Sequence, residues 1–122
     1  MKKFKINVGC GRTPTTGYLN FDNSFSLRIS KINFLSKIAS RFSLLNQQQY
    51  EYLKFCKEND IQYANAVKKI PLNDSSVEIL YTSHMVEHLD RLEVRSFLKE
   101  SKRVLINGGV IMPKVTLFLA RY

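Results

Sequence analysis

The sequence predicts an α/β fold with a mostly parallel sheet and right-handed crossovers, and three observations carry that prediction. Short apolar runs of strand length alternate along the chain with longer segments of helical spacing. One run, Val77 to Thr82, is apolar at most positions, as a strand buried on both faces of a parallel sheet should be. Two others end on small or acidic residues: Phe4 to Val8 breaks into Gly9-Cys10-Gly11, and Tyr18 to Phe21 closes on Asp22. In open α/β sheets, ligands sit outside the carboxyl ends of strands, where strand order reverses. Glycine there accepts positive φ and removes the Cβ that would hold a ligand away. An acid closing the second strand is placed to accept hydrogen bonds from a ribose diol. These strand ends therefore predict a site for a nucleoside-containing cofactor.

Beyond Asp22, Leu35, Ile38 and Phe42 fit a helix face, but Ser and Asn supply many local breaks. The stretch from Ser24 to Phe42 reads either as a loosely specified helix or as a lid. Asn46 is a candidate N-cap, and Tyr50, Leu53 and Cys56 or Lys57 repeat at helical intervals up to Glu58-Asn59-Asp60. Ile61 to Ala64 is the third strand, followed by Asn65 to Ser76 with Pro71 and a polar turn cluster. The fourth strand, Val77 to Thr82, ends at Ser83-His84. Met85 to Asn107 has helical spacing at Val86, Leu89, Leu92, Phe97, Leu98 and Val104; a break near Asp90 would split it, with Asp90 capping the second part. Asn107-Gly108-Gly109 is a helix stop. Val110, Ile111 and then Val115 to Ala120 supply a fifth strand, interrupted at Pro113.

At 122 residues the chain is expected to form one domain, 1–122, around one core. Nineteen Lys and Arg against ten Asp and Glu leave a formal charge of +9, which would suit a phosphate-rich partner. The basic residues are scattered rather than gathered in a block or stripe, so nucleic acid is not expected as the main partner. Cys10 and Cys56 stand in no CxxC pair or metal-ligand spacing, which argues for free thiols in a reducing compartment. No uncharged apolar run is long enough to span a bilayer. The expected location is cytoplasmic.

Singly, the chemical motifs are weak. Gly9-Cys10-Gly11 departs from the dinucleotide fingerprint, because Pro14 takes the third glycine's place and Asp22 follows too closely for a full intervening helix. His84-Met-Val-Glu87-His88 matches H-x-x-E-H, which on a helix would place two histidines on one face for zinc. A third ligand is then needed, and Asp90, Glu93 and Glu100 are the sole later carboxylate side chains. No metal is expected.

Together the motifs are more specific. Asn7-Val-Gly-Cys-Gly, Gly17-Tyr-Leu-Asn-Phe-Asp22, Ile70-Pro-Leu-Asn-Asp-Ser-Ser, Ser83-His-Met-Val-Glu-His-Leu89 and Arg103-Val-Leu-Ile-Asn-Gly-Gly-Val110 occur in succession. From about Lys5 to Ile111 the chain resembles the class I S-adenosylmethionine-dependent methyltransferases, and within them the compact bacterial type 11 branch. The resemblance implies a Rossmann-like sheet of five strands in the order 3-2-1-4-5 with flanking helices, and S-adenosylmethionine as cofactor. It implies that Gly9, Cys10 and Gly11 pack on the cofactor's methionine and ribose, and that Asp22 holds the ribose hydroxyls. It places Asn65 and Ala66 at the adenine, where Asn65 replaces a common Asp and keeps only a side-chain carbonyl for the adenine amino group. Ser83 and His84 close the pocket, with His84 either a general base or a packing residue.

The carboxyl-terminal stretch departs from the family pattern. Relatives continue through a helix and an antiparallel hairpin, whereas this chain reads Met112 to Tyr122, so the usual hairpin is expected to be missing and the chain to be truncated. An exposed apolar fifth strand then predicts a strand-paired homodimer or poor solubility. The expected function is methyl transfer to a small-molecule or saccharide acceptor. The alternative is a truncated, non-catalytic remnant that binds a nucleoside or a partner.

Overall fold

The computed structural model describes residues 2–24, 46–83 and 85–114. Five parallel strands, β1 (Phe4–Val8), β2 (Leu19–Asp22), β3 (Ile61–Tyr63), β4 (Val77–Ser83) and β5 (Leu105–Lys114), form a sheet in the order β3-β2-β1-β4-β5. This is the predicted fold class and strand order. Helix α1 (Gln47–Glu58) leads into β3, and helix α2 (Arg91–Val104) joins β4 to β5. A single 3-10 turn, Val86–His88, lies between β4 and α2. The chain steps outward from β1 to β2 and β3, then returns to β4 on the other side of β1. Strand order therefore reverses beside β1, which opens a crevice at the carboxyl ends.

Both helices begin where side chains satisfy their first backbone N–H groups. Asn46 accepts from the Gln49 amide and Gln49 accepts from the Asn46 amide; Asp90 and Glu93 repeat the arrangement at α2. Each N-cap contributes about 1 kcal/mol. Ile6, Val8, Phe21 and Leu80 from the strands meet Phe97 and Val104 of α2 in the main core. Full burial of such side chains contributes roughly 1.5–3 kcal/mol each. A second cluster joins Leu53 and Cys56 of α1 to Cys10 and Ile61.

Arg103 ties α2 to the segment before β4. Its guanidinium donates to the carbonyls of Ile70 (2.9 Å) and Leu72 (3.0 Å), to Asp74 Oδ1 (2.7 Å) and to both oxygens of Glu100. Glu100, only 9% exposed, also accepts from the Ile70 amide at 2.7 Å. A buried carboxylate is tolerated here because its oxygens have donors. The hydrogen bond from Arg103 is the main reason its pKa lies below the usual carboxylate value.

Several expected boundaries shift. Met85 to Asn107 is not one helix: Met85 packs over Gly9, the chain makes its 3-10 turn, and Leu89 is extended before Asp90 caps α2. The helix ends at Val104 because Leu105 already pairs with Val77 in the sheet. Gly108, expected at a helix stop, instead takes φ +82° inside β5, where pairing skips from Val77↔Leu105 to Ile79↔Val110. Pro113 does not interrupt the strand; it lies in register with Thr82 on what is, among the described residues, an edge, where proline is tolerated. β4 is buried at Val77, Leu80 and Thr82 but only half-buried at Ile79, Tyr81 and Ser83, so the expected double burial holds for one face. The helix or lid expected over Ser24 to Phe42 falls, beyond Ser24, outside the described residues, as does the Val115 to Ala120 part of the fifth strand.

Candidate cofactor site

A cavity of about 300 Å³ opens at the carboxyl ends of β1, β2 and β3. Gly9 follows β1, Asp22 closes β2, and Ala64 to Val67 follow β3, while Met85, His88 and Leu89 come round from the end of β4. Its volume lies at the low end of the roughly 300–1,000 Å³ typical of small-molecule sites. Ala64, Ala66, Val67, Met85 and Leu89 make the wall largely apolar, with the Asp22 carboxylate as its acidic group.

Gly9 has φ +69°, and a Cβ added there would lie 2.9 Å from Met85 Sδ. Glycine is thus required twice, by the backbone and by the close approach of Met85. The following loop is pinned by two buried asparagines. Asn7 donates to the Thr13 carbonyl (3.3 Å) and to Thr15 Oγ1 (3.1 Å); Asn20 accepts from the Thr15 amide (2.8 Å) and donates to the Thr15 and Tyr18 carbonyls. The Cys10 amide donates to the Phe21 carbonyl at 3.0 Å and holds the loop to the end of β2.

Asp22 is engaged from the side: the Tyr52 hydroxyl of α1 donates to its Oδ2 at 2.7 Å. Burial, then this bond, hold the Tyr52 phenol well above its ordinary pKa, so it remains a proton donor. Asn65 folds its side chain back, Oδ1 accepting from the Val67 amide at 3.1 Å in an Asx turn. The carbonyl expected to face adenine therefore already has one donor, with a second lone pair remaining.

Of the residues predicted for the site, Gly9, Asp22, Asn65 and Ala66 converge on the cavity. Cys10, Gly11 and Ser83 do not line it. Cys10 is turned into the cluster with Leu53 and Cys56, and burial, followed by the Asp22 charge, pushes its thiol pKa up to about 12. It is an inert packing group. Gly11 has φ +52° and open space around it. His84 lies outside the described residues. Among the described residues no three metal-ligating side chains cluster. His88 lines the cavity although the sequence singled it out only through H-x-x-E-H. Tyr52 and Met85 carried no sequence signal for the site, because their contacts close over long separations.

These residues have the chemistry a nucleoside ligand needs: a carboxylate that can accept from sugar hydroxyls and an apolar wall that can pack on a base. Fold and site together define an α/β domain with a cavity at the carboxyl ends of its parallel strands. Residues 6–112 match the model of a methyltransferase domain, Methyltransf_11. The chain belongs to that methyltransferase family, whose cofactor is S-adenosylmethionine.

Two solved structures share the fold. The PH0226 protein from Pyrococcus horikoshii OT3 is 18% identical with a TM-score of 0.52, over 92% of this chain and 49% of its own. A protein of Methanococcus maripaludis, assigned as an S-adenosyl-L-methionine-dependent methyltransferase, is 15% identical with a TM-score of 0.50, over 93% of this chain and 48% of its own. The chain thus spans about half the length of each of these proteins. No curated protein matches the sequence.

Proposed function

We propose that this chain, as one domain over 1–122, is an S-adenosylmethionine-dependent methyltransferase acting on a small-molecule or saccharide acceptor in the cytoplasm. The observation that carries this reading is the convergence of Gly9, Asp22, Asn65 and Ala66 on one cavity where strand order reverses. Family membership supports the choice of cofactor. Among the described residues no helix is long and apolar enough to cross a membrane.

S-adenosylmethionine, when bound, supplies an electrophilic methyl group on a sulfonium. Asp22 accepts from the sugar hydroxyls, and Ala66, Val67 and Leu89 exclude water around the base. Gly9 lets Met85 close over the end of β1 at the edge of the cavity. Transfer from a sulfonium needs an in-line approach, so orientation of donor and acceptor supplies much of the rate. His84, next after β4, is the general base for an acceptor that must lose a proton; an acceptor with a free lone pair needs none. Pairing of two copies along β5 belongs to the same reading. β5 ends the sheet among the described residues, and its Val110 and Met112 are half exposed. A chain that stays monomeric in light scattering at high concentration removes that part.

The test is calorimetric titration with S-adenosylhomocysteine, beside an Asp22→Ala variant and with NAD as control. The expected result is binding, weakened about tenfold or more by the substitution, and none for NAD. No binding by the folded chain refutes the assignment. Binding with no methyl transfer to any acceptor leaves a non-catalytic nucleoside-binding domain.

A further inference from the structure

The Asp22 carboxylate is held by a donor from another element. Tyr52, thirty residues away in sequence, reaches it from α1 and donates to Oδ2 at 2.7 Å. Tyr52 is in turn held in place: its ring stacks on Phe55, one helical turn further, with centroids 6.3 Å apart. The Arg12 guanidinium lies over both rings, 5.3 Å from the centre of Tyr52 and 5.5 Å from that of Phe55. Arg12 belongs to the loop that follows Gly9-Cys10-Gly11. The glycine loop, α1 and the end of β2 thus meet at one hydrogen bond.

We infer that Tyr52 is a positioning residue that sets how the site reads a nucleoside sugar, an inference that rests on the proposed cofactor role. A carboxylate with both oxygens free accepts the two hydroxyls of a ribose diol side by side. Here the Tyr52 hydroxyl takes one of the two lone pairs of Oδ2 and orients the carboxylate, whereas Oδ1 keeps both. Oδ1 is then the stronger acceptor toward the sugar and Oδ2 the weaker, so one hydroxyl of the diol is read strongly and the other weakly. Tyr52→Phe keeps the ring beneath Arg12 and beside Phe55 while releasing Oδ2. The freed carboxylate then accepts both hydroxyls, and the asymmetry disappears.

The experiment is calorimetric titration of the full chain and of Tyr52→Phe with S-adenosylhomocysteine and with its 2′-deoxy and 3′-deoxy analogues. A lost hydrogen bond to a charged acceptor weakens binding about tenfold or more. In the unaltered chain one deoxy analogue should bind about tenfold or more weakly than the other, and in Tyr52→Phe the two should come within about threefold of each other. A purely structural tyrosine would change affinity for all three ligands alike and leave the ratio between the analogues unmoved. Equal loss from both analogues in the unaltered chain, or an asymmetry that survives in Tyr52→Phe, overturns the inference alone. Failure of the folded, unaltered chain to bind S-adenosylhomocysteine overturns it together with the cofactor role.

Discussion

Gly9 and Gly11 make a matched pair, because both have positive φ but only one has a neighbour where a Cβ would go. At Gly11, φ +52°, an added Cβ meets nothing within 4 Å. Gly11→Ala should therefore cost only the left-handed backbone penalty, about 1–2 kcal/mol. At Gly9, φ +69°, the Cβ would lie 2.9 Å from Met85 Sδ, 3.0 Å from its Cβ and 3.1 Å from its Cγ. Rotating the Met85 side chain relieves the sulfur contact but not the one to Cβ, so the backbone leading into the 3-10 turn must move. Overpacking of this kind adds about 1–3 kcal/mol, giving roughly 2–5 kcal/mol for Gly9→Ala. Urea unfolding of the two variants beside the parent measures the difference, with unchanged m-values as the check that only stability has moved. Gly9→Ala should be the less stable by at least about 1 kcal/mol, with a melting temperature lower by roughly 4 °C. Equal midpoints would show that Met85 does not close over Gly9, and the described cavity wall would be wrong.

Two other perturbations read the packing around the site. Arg103→Met removes the donors to the Ile70 and Leu72 carbonyls and leaves the buried Glu100 carboxylate without its paired charge, held only by the Ile70 amide, so it should destabilise by about 3–5 kcal/mol. A loss under about 1 kcal/mol in urea unfolding would place that arginine among ordinary surface ion pairs. Cys10 should resist iodoacetamide at pH 8 in the folded chain and react readily in urea, since its folded pKa is about 12 against an ordinary 9.0. Because the folded pKa is raised, the stability associated with the neutral thiol is complete below about pH 9 and is lost as pH rises toward 12. Equal labelling rates in the folded and unfolded chain would show that the thiol is not buried against α1.

The sheet was legible in the sequence because its signals are local. Strand-length apolar runs, the Gly9-Cys10-Gly11 break and the caps at Asn46 and Asp90 each depend on a few adjacent residues, and each lies where local chemistry places it. The misplaced boundaries cluster at residues 85–89 and 105–113, where a long-range contact competes with local preference. Met85 is held by Gly9, and Leu105 is taken by Val77, so helical spacing on either side is overruled. Gly108-Gly109 is a further case: a pair of glycines suits a helix stop or a strand irregularity equally, and only the partner strand decides.

The same distinction separates the parts of the site. Gly9, Asp22, Asn65 and Ala66 follow strand ends, and any parallel sheet with reversing order brings them to one edge. What shapes their chemistry comes from elsewhere in the chain: Tyr52 reaches Asp22 across thirty residues, and Arg12 covers the Tyr52 ring. Asn7 and Asn20 are the intermediate case. Burying a polar side chain in a short apolar strand is costly unless it is hydrogen-bonded, and the Asn7 amide nitrogen and both ends of the Asn20 amide find their partners in the adjoining loop. The loop from Cys10 to Tyr18 is that partner, and it holds Gly9 at the mouth of the cavity. Buried polar residues flanking a glycine turn therefore point to a fixed loop even when the side chains of the loop itself carry no motif.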